Sequence, residues 1–328
     1  MKTILKALVD LLRAGALMLA ALFAALAVAS QGGRFSDRLD VLTHFAPIWL
    51  GGLLLAAVIW VVTGRRGRAT PVLALVGVLS ALTLMLPELT AAAKTSGGKV
   101  DGETLTVVQF NLWGRNRDPE GTARWILETD PDIIVLEEGF SRSGGIARTL
   151  ARRYPHRTTC AEPSPCSTMI LSKTRPIAEG GLSPGTSRAH LAGAWATFGA
   201  PGGPFTVVGV HLTWPYPAGP QQQMTLRLAD VLTRFPSDRL IVSGDFNSTP
   251  WSFSLRRQDR MFGLERRTRA IASWPAGAFS GLRLASPFAI LPIDHVYAGK
   301  AWRTIEARRG PKLGSDHYPL VVTLAPAG

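Results

Sequence analysis

Three apolar stretches crowd the first ninety residues, at about Ala14–Ala29, Val41–Val62 and Ala69–Leu86. Each is close to the roughly 20 residues a helix needs to cross a bilayer. None carries a polar face at helical period, which argues against a bundle of soluble helices. The chain is 46% apolar, and the excess is concentrated here. The first stretch also has the form of a signal peptide, with a basic start and the small-residue end Ala27-Val28-Ala29-Ser30. Two further spans follow so closely that an uncleaved anchor is the better reading. Lys2, Lys6 and Arg13 precede the first span, and Arg65, Arg66 and Arg68 fill the loop between the second and third. Basic flanks stay in the cytoplasm. The connection holding Arg34, Asp37, Arg38 and Asp40 mixes signs and suits the outside. Three spans then carry the rest of the chain out of the cytoplasm, to the periplasm or the cell exterior.

The organisation that follows is an anchor over 1–90, a small polar linker over 91–102 containing Gly97-Gly98, and a second domain over 103–328. Runs rich in β-branched residues punctuate that domain at Thr104–Phe110, Asp132–Leu136, Thr168–Leu171, Ala192–Phe198, Phe205–Val210, Leu240–Val242, Ile293–Tyr297 and Leu320–Leu324. Helical patterns fall at Pro119–Thr129, Ser143–Arg153 and Gln221–Phe235. The mixture predicts an α/β domain. The adjacent runs around 192–210, with no helix between them, predict antiparallel pairing rather than simple alternation.

Charge and cysteine content narrow the chemistry. The formal net charge is +13, and arginines pair at Arg152-Arg153, Arg256-Arg257, Arg266-Arg267 and Arg308-Arg309. A basic surface favours polyanions or anionic headgroups; scattered pairs are equally expected of solvated faces. The two cysteines, Cys160 and Cys166, flank Ala-Glu-Pro-Ser-Pro and suit a disulfide in an oxidising compartment. No further cysteine and no suitably spaced histidine accompany them, so a structural zinc site is disfavoured.

The polar residues that end apolar runs carry the functional signal. Asn111 ends Val107-Val108-Gln109-Phe110, Glu137-Glu138 ends Ile133-Ile134-Val135-Leu136, and His211 ends Val207-Val208-Gly209-Val210. Gly244 allows a sharp exit from Leu240-Ile241-Val242-Ser243, after which Asp245 and Asn247 can face a reacting centre. Taken alone, Asp245 and Asn247 equally suit an Asx-turn. Asp294-His295 opens one late run, and Asp316-His317 precedes another. An Asp partnered with a His elsewhere in the fold fixes the ring's tautomer and stabilises its charged form. Oxygen donors of this kind suit Mg²⁺, Mn²⁺ or Ca²⁺ rather than zinc. Arg188 and His190 could approach a substrate phosphate, although a solvated loop is the better reading.

The ordered set Gln109-Phe110-Asn111, Leu136-Glu137-Glu138, Val210-His211-Leu212, Gly244-Asp245-Phe246-Asn247, Ile293-Asp294-His295 and Ser315-Asp316-His317 resembles the endonuclease/exonuclease/phosphatase superfamily over about 104–325. The resemblance implies a two-sheet, four-layer α/β sandwich of the deoxyribonuclease I type behind about three transmembrane helices. It also implies roles. Asn111, Glu138 and Asp316 are the metal residues, with Glu138 chosen over Glu137 because the acid is the second residue after the Leu. Asp245 orients or deprotonates water, and Asn247 positions the nucleophile or a phosphate oxygen. Asp294 pairs with His317, which contacts the scissile phosphate, and His211 aids the leaving group. The number of metal ions and the identity of the general base stay open.

The expected activity is in-line hydrolysis of a phosphodiester by a metal-dependent enzyme, on nucleic acid or on a phospholipid headgroup. Loops at 213–220 and 248–290 are the expected sources of specificity. A non-catalytic membrane receptor or scaffold with the same fold is the alternative; a binding module has no need of the whole polar set. No protein partner is inferred. For topology, a reporter enzyme fused after Gly98 is expected to be active only outside the cytoplasm, and cytoplasmic activity would overturn the orientation.

Overall fold

The computed structural model describes residues 2–94, 102–160, 168–182, 191–277, 286 and 288–327. The chain divides into two compact units. One comprises Met1–Ala91 with Tyr216–Ala218 and Thr249–Arg256; the other holds the remainder.

The first unit contains helices α1 (Lys2–Ser30), α2 (Asp37–Asp40), α3 (Ala46–Val62) and α4 (Ala69–Lys94). Three helical segments, Lys2–Arg34, Asp37–Val62 and Ala69–Ala93, are long and apolar enough to cross a membrane. Their packing follows from small residues. Ala16, Ala20, Ala24, Ala27 and Ser30 form the buried stripe of α1. A Cβ on Gly52 would strike the Phe23 ring at 2.2 Å, and one on Gly77 would strike Leu53 at 2.7 Å. Such residues let helix backbones approach where no hydrophobic effect drives them together. Leu8, Leu11, Met18, Leu22, Leu54, Val58, Leu75 and Leu79 point outward and exposed, a surface that suits hydrocarbon. The α4 helix continues to Lys94, into the stretch expected to be linker.

The second unit is a sandwich of two six-stranded mixed sheets. The first sheet contains β1 (Leu105–Asn111), β2 (Ile133–Glu137), β3 (His156–Thr159), β4 (Met169–Ser172), β11 (Trp302–Arg309) and β12 (Leu320–Pro326), in the order β11-β12-β1-β2-β4-β3. The second contains β5 (Ala178–Gly181), β6 (Ala192–Phe198), β7 (Phe205–His211), β8 (Leu240–Asp245), β9 (Glu265–Arg266) and β10 (Asp294–Ala298), in the order β5-β6-β7-β8-β10-β9. The pairs β1–β2 and β7–β8 are parallel, and the other pairings are antiparallel. Each parallel pair needs a crossover. Helices α5 (Pro119–Thr129) and α7 (Pro220–Leu232) supply them, while α6 (Gly144–Leu150) joins β2 to β3.

Alternation along the strands explains the layers. Val107, Val135, Ile170, Val207, Ile241, Val296 and Val322 meet between the sheets. Val108, Phe110, Ile134 and Leu136 face the other way, onto Ala123 and Ile126 of α5 and Ile146 and Leu150 of α6. Covered on both faces, β1 and β2 read as continuous apolar runs.

Some expectations need correction. The segment 248–290, expected to be a specificity loop, contains helix α8 (Phe253–Phe262) and strand β9. Several Arg pairs are structural. Arg266 is buried and donates to Asp259, and Arg267 donates to the carbonyls of Ala298, Gly299 and Trp302. Arg153 pairs with Asp130. Arg266 and Arg267 thus satisfy internal acceptors, whereas the Arg153–Asp130 pair lies exposed at the surface. Arg188, His190 and the Cys166 end of the expected Cys160–Cys166 bond lie outside the described residues.

Gly244 in β8 has φ +158°, and a Cβ there would lie 1.9 Å from the Val210 carbonyl oxygen of the neighbouring β7. Gly244→Ala is therefore expected to destabilise the second unit by at least about 2 kcal/mol, read as a lower urea midpoint. An unchanged midpoint would contradict this packing.

Candidate active site

The face of each central strand that lines the space between the sheets changes character along its length. On β1 it runs Val107, Gln109, Asn111; on β8, Ile241, Ser243, Asp245; on β10, Ala298, Val296, Asp294. Apolar residues fill the middle, and polar ones gather at one end. Register brings the polar ends together. Asn111 pairs with Glu137, His211 with Asp245, and Asp294 with Asp245. His317 joins them because Leu320, at the start of β12, pairs with Gln109.

His317 sits at the centre. Its Nδ1 is 2.8 Å from Asp294 Oδ2, and its Nε2 is 3.7 Å from Asp245 Oδ2. The Nδ1 contact leaves Nε2 aimed toward Asp245. His211 Nε2 approaches the same Asp245 oxygen at 3.7 Å and is partly exposed. The Asn111 amide donates to Asp245 Oδ2 at 3.0 Å and to Glu138 Oε1 at 3.2 Å. The Gly114 N–H donates to Glu138 Oε2 at 3.3 Å. Asp245 Oδ1 accepts the Asn247 N–H at 2.8 Å. This closes a tight turn in which Asn247 has φ +50°. The Asn247 side-chain amide donates to the Leu212 carbonyl at 2.9 Å.

Electrostatics follow from burial and clustering. Burial and then the Asp294 charge raise the Asp245 carboxyl to about 6, against the opposing influence of His317 and His211. Burial disfavours the His317 imidazolium, yet Asp294 and Asp245 outweigh it and push that group up to about 10. Burial likewise opposes the Asp294 charge, but the His317 charge and hydrogen bonds from His317, Ser273 and Gln109 leave its carboxyl below the usual range. Asp316 is raised by burial, with Glu138 adding to the shift.

Glu138, Asp245, Asp294 and Asp316 thus form a group of carboxyls short of positive charge. Glu138 and Asp316 offer hard oxygen donors at its edge, which fits a divalent cation of the Mg²⁺ class; Asn111 turns its amide nitrogen to Glu138 and Asp245, while its Oδ1 accepts the Trp113 N–H at 3.0 Å. Ligand atoms of Asp245, Asp294 and His317 also lie within 4.8 Å of one another. The Asp294–His317 hydrogen bond already engages two of these groups, so an Asp–His pair is their better description.

Sequence reasoning missed part of the support. The Gln109 amide donates both to Asp294 Oδ1, at 2.8 Å, and to Glu137 Oε2, at 2.9 Å. Glu137 is fully buried, and burial followed by the Asp294 and Asp245 charges holds its carboxyl well above the usual range. The two adjacent glutamates therefore diverge, Glu137 inward to Gln109 and Glu138 toward Asn111. Ser315 Oγ donates to the Asn111 carbonyl and accepts the His317 N–H. The available signal was Gln109 itself, a polar residue on the same strand face as Asn111 within an apolar run. His295, by contrast, is a core residue: its Nε2 lies 2.8 Å from the Ser248 carbonyl oxygen and its ring packs on Phe246.

The His317 shift predicts a pH signature. In metal-free protein its ring ¹⁵N resonances should stay those of an imidazolium at pH 8, and Asp294→Asn should restore ordinary titration. A group whose folded value is raised contributes stability that is full below its unfolded value of about 6.5. That contribution is lost as pH rises through about 10. Titration of His317 near 6.5 in the unmodified protein would contradict this electrostatic picture.

Comparison with known proteins agrees with the geometry. No curated protein sequence matches the chain. An endonuclease/exonuclease/phosphatase protein from Bacteroides vulgatus is similar in structure, with 16% identity, TM-score 0.57, and coverage of 69% of this chain and 100% of that one. Sphingomyelinase C from Streptomyces griseocarneus is similar at 18% identity and TM-score 0.51, covering 68% and 99%. D. rerio TDP2, complexed with single strand DNA product, is similar at 15% identity and TM-score 0.52, covering 68% and 100%. At such identities these likenesses establish the two-sheet sandwich fold. The family model for the Endonuclease/Exonuclease/phosphatase family matches residues 108–317, from the first sheet's central strand to the site histidine, and the chain belongs to that family.

Proposed function

We propose that this chain is a membrane-anchored, divalent-metal-dependent phosphodiesterase whose catalytic unit faces away from the cytoplasm. The observation that carries the reading is the convergence of Asp245, His317 and Asp294 beside the Glu138 carboxylate and the Asn111 amide. A phosphodiester resists attack because its oxygens repel a nucleophile. A bound divalent cation held by Glu138 and Asp316 would draw charge from a phosphate oxygen. The side chains do the rest. Asp245, buried and oriented by Asn111 and the Asn247 N–H, accepts a hydrogen bond from water and aligns it for in-line attack. His317, kept protonated by Asp294, donates from Nε2 to the charge growing on the phosphate. Gln109 holds the remaining Asp294 oxygen, which keeps the His317 ring in one orientation. His211, at the exposed side of Asp245, is placed to aid the departing oxygen.

The substrate is a phosphodiester of nucleic acid or of a phospholipid headgroup, the two classes represented by the similar structures. Exposed aromatic rings flank the site. Phe140 lies over Gly114, the donor to Glu138, and Trp214 packs edge-on against Trp274, which hydrogen-bonds Asp316. Both surfaces suit a base or a headgroup interface. Topology is supported by charge and by packing. The contact of the 31–45 connection with residues 249–256 supports a common side of the bilayer for both, and the basic flanks support the cytoplasm as the other side.

Purified full-length protein should cleave bis(p-nitrophenyl) phosphate with Mg²⁺ or Mn²⁺ and stop with chelator, and parallel assays on DNA and sphingomyelin would assign the class. Asp245→Asn and His317→Ala should each lower turnover at least ~100-fold, the scale of losing such a group. Near-wild-type turnover in either variant, or hydrolysis that survives chelation, would sink the assignment.

A further inference from the structure

The residues that leave the Gly244–Asn247 turn do not return to the sandwich directly. Thr249–Arg256 belongs to the same compact unit as the apolar helices. Two polar side chains from the connection between α1 and α3 receive this segment. Asp40 is 2% exposed; its Oδ1 accepts the Phe253 N–H at 2.8 Å, and its Oδ2 accepts the Ser254 N–H at 2.7 Å. These are orphan donors of the first turn of α8, which a helix cannot satisfy internally. His44 is 5% exposed. Its Nδ1 lies 3.1 Å from the Thr249 backbone nitrogen and 3.0 Å from Thr249 Oγ1. A backbone N–H only donates, so Nδ1 is the bare nitrogen and the ring is neutral in this contact. The His44 carbonyl accepts Trp251 Nε1 at 3.3 Å.

The fit is close as well as polar. A Cβ on Gly33 would meet the Phe253 ring at 2.8 Å and the Asp40 backbone at 2.9 Å, so only glycine allows this approach. Arg34 and Arg256 each lie 5.5 Å from the Phe253 ring centre. Arg256 also donates to the Leu84 carbonyl of α4. Thr249 and Ser252 are fully buried, and Trp251 nearly so. A simple tether would need nothing beyond the chain after Lys94. Here the anchor spends two buried polar side chains on the backbone two to seven residues beyond Asn247.

We propose that Asp40 and His44 are positioning residues for catalysis. They fix the chain at the exit of the turn that carries Asp245 and Asn247. This rests on the assignment of Asp245 and Asn247 to phosphodiester hydrolysis. The buried Asp245 carboxylate works only if its turn is held, and a displacement of about 1 Å at a reacting group costs on the order of 100-fold in rate. Asp40 and His44 touch no reacting atom, so their effect falls on turnover and not on affinity for a small diester.

The test uses full-length protein in nanodiscs with bis(p-nitrophenyl) phosphate and Mg²⁺. Asp40→Ala and His44→Ala should lower kcat by about 10- to 100-fold at unchanged KM. Asp40→Asn, which keeps one acceptor oxygen, should fall between Asp40→Ala and the parent. Asp10→Ala, toward the far end of α1, should leave kcat unchanged. Thermal unfolding of each variant separates lost folding from misplacement. If Asp40→Ala does not fold, the folded Asp40→Asn and His44→Ala decide. Parental kcat in those two variants overturns the proposal while leaving the phosphodiesterase reading intact, whereas a parent without any hydrolysis overturns that reading itself.

Discussion

Asp245 is a carboxylate at a buried strand end, within reach of the Asp294 charge and relieved chiefly by one imidazolium. The rest of the catalytic unit depends on keeping that arrangement. Burying a charge is costly unless it is paired and hydrogen-bonded. Each neighbour of Asp245 answers part of that cost: His317 by charge, Asn111 by its amide, the Asn247 N–H by closing the turn. The same burial that raises Asp245 makes the surviving interactions strong, because little water competes for them. The carboxyl surplus left over, with Glu138 and Asp316 at its edge, is what suits the site to a cation.

The sandwich creates these conditions by ordinary packing. Between the sheets, valines and isoleucines exclude water up to the level of Gln109 and Ser243. Beyond that level the same strand faces carry amides, carboxylates and imidazole. Strand register then brings polar side chains from five strand ends together, a precision that loops alone do not provide. The parallel pairs β1–β2 and β7–β8 contribute most, since each brings two strand C-termini side by side. Asp294 and His317 enter from strands of opposite direction, and so meet that edge from their N-terminal ends.

Several residues were legible in the chain because polarity there breaks an apolar run. Asn111, Glu138, His211 and Asp245 all appear where a strand stops. Others were not. Gln109 was visible as a residue but not as the bridge between Asp294 and Glu137, because that contact spans 185 residues and two sheets. The direction of Glu137 against Glu138 depends on the strand's pleat and the turn after it, which adjacent letters do not reveal. β11 escaped notice because its outer residues, among them Glu306, Arg308 and Arg309, dilute the apolar alternation. The α8 helix was hidden because its first turn is capped by Asp40, 213 residues away, instead of by a local residue with an obvious signature.

The sequence by itself determined the three apolar helices, the alternation of the central strands, and the identity of the groups able to bind a cation and move a proton. These follow from local periodicity and from chemical type, which neighbouring residues express directly. Only the tertiary structure decided which of those groups meet. It bridged Asp294 and Glu137 through Gln109, turned Glu137 away from Glu138, and drew the chain after Asn247 onto Asp40 and His44. Such pairings depend on sheet register and on contacts between distant segments. No local pattern specifies these, because their free energy exists only once the whole chain has folded.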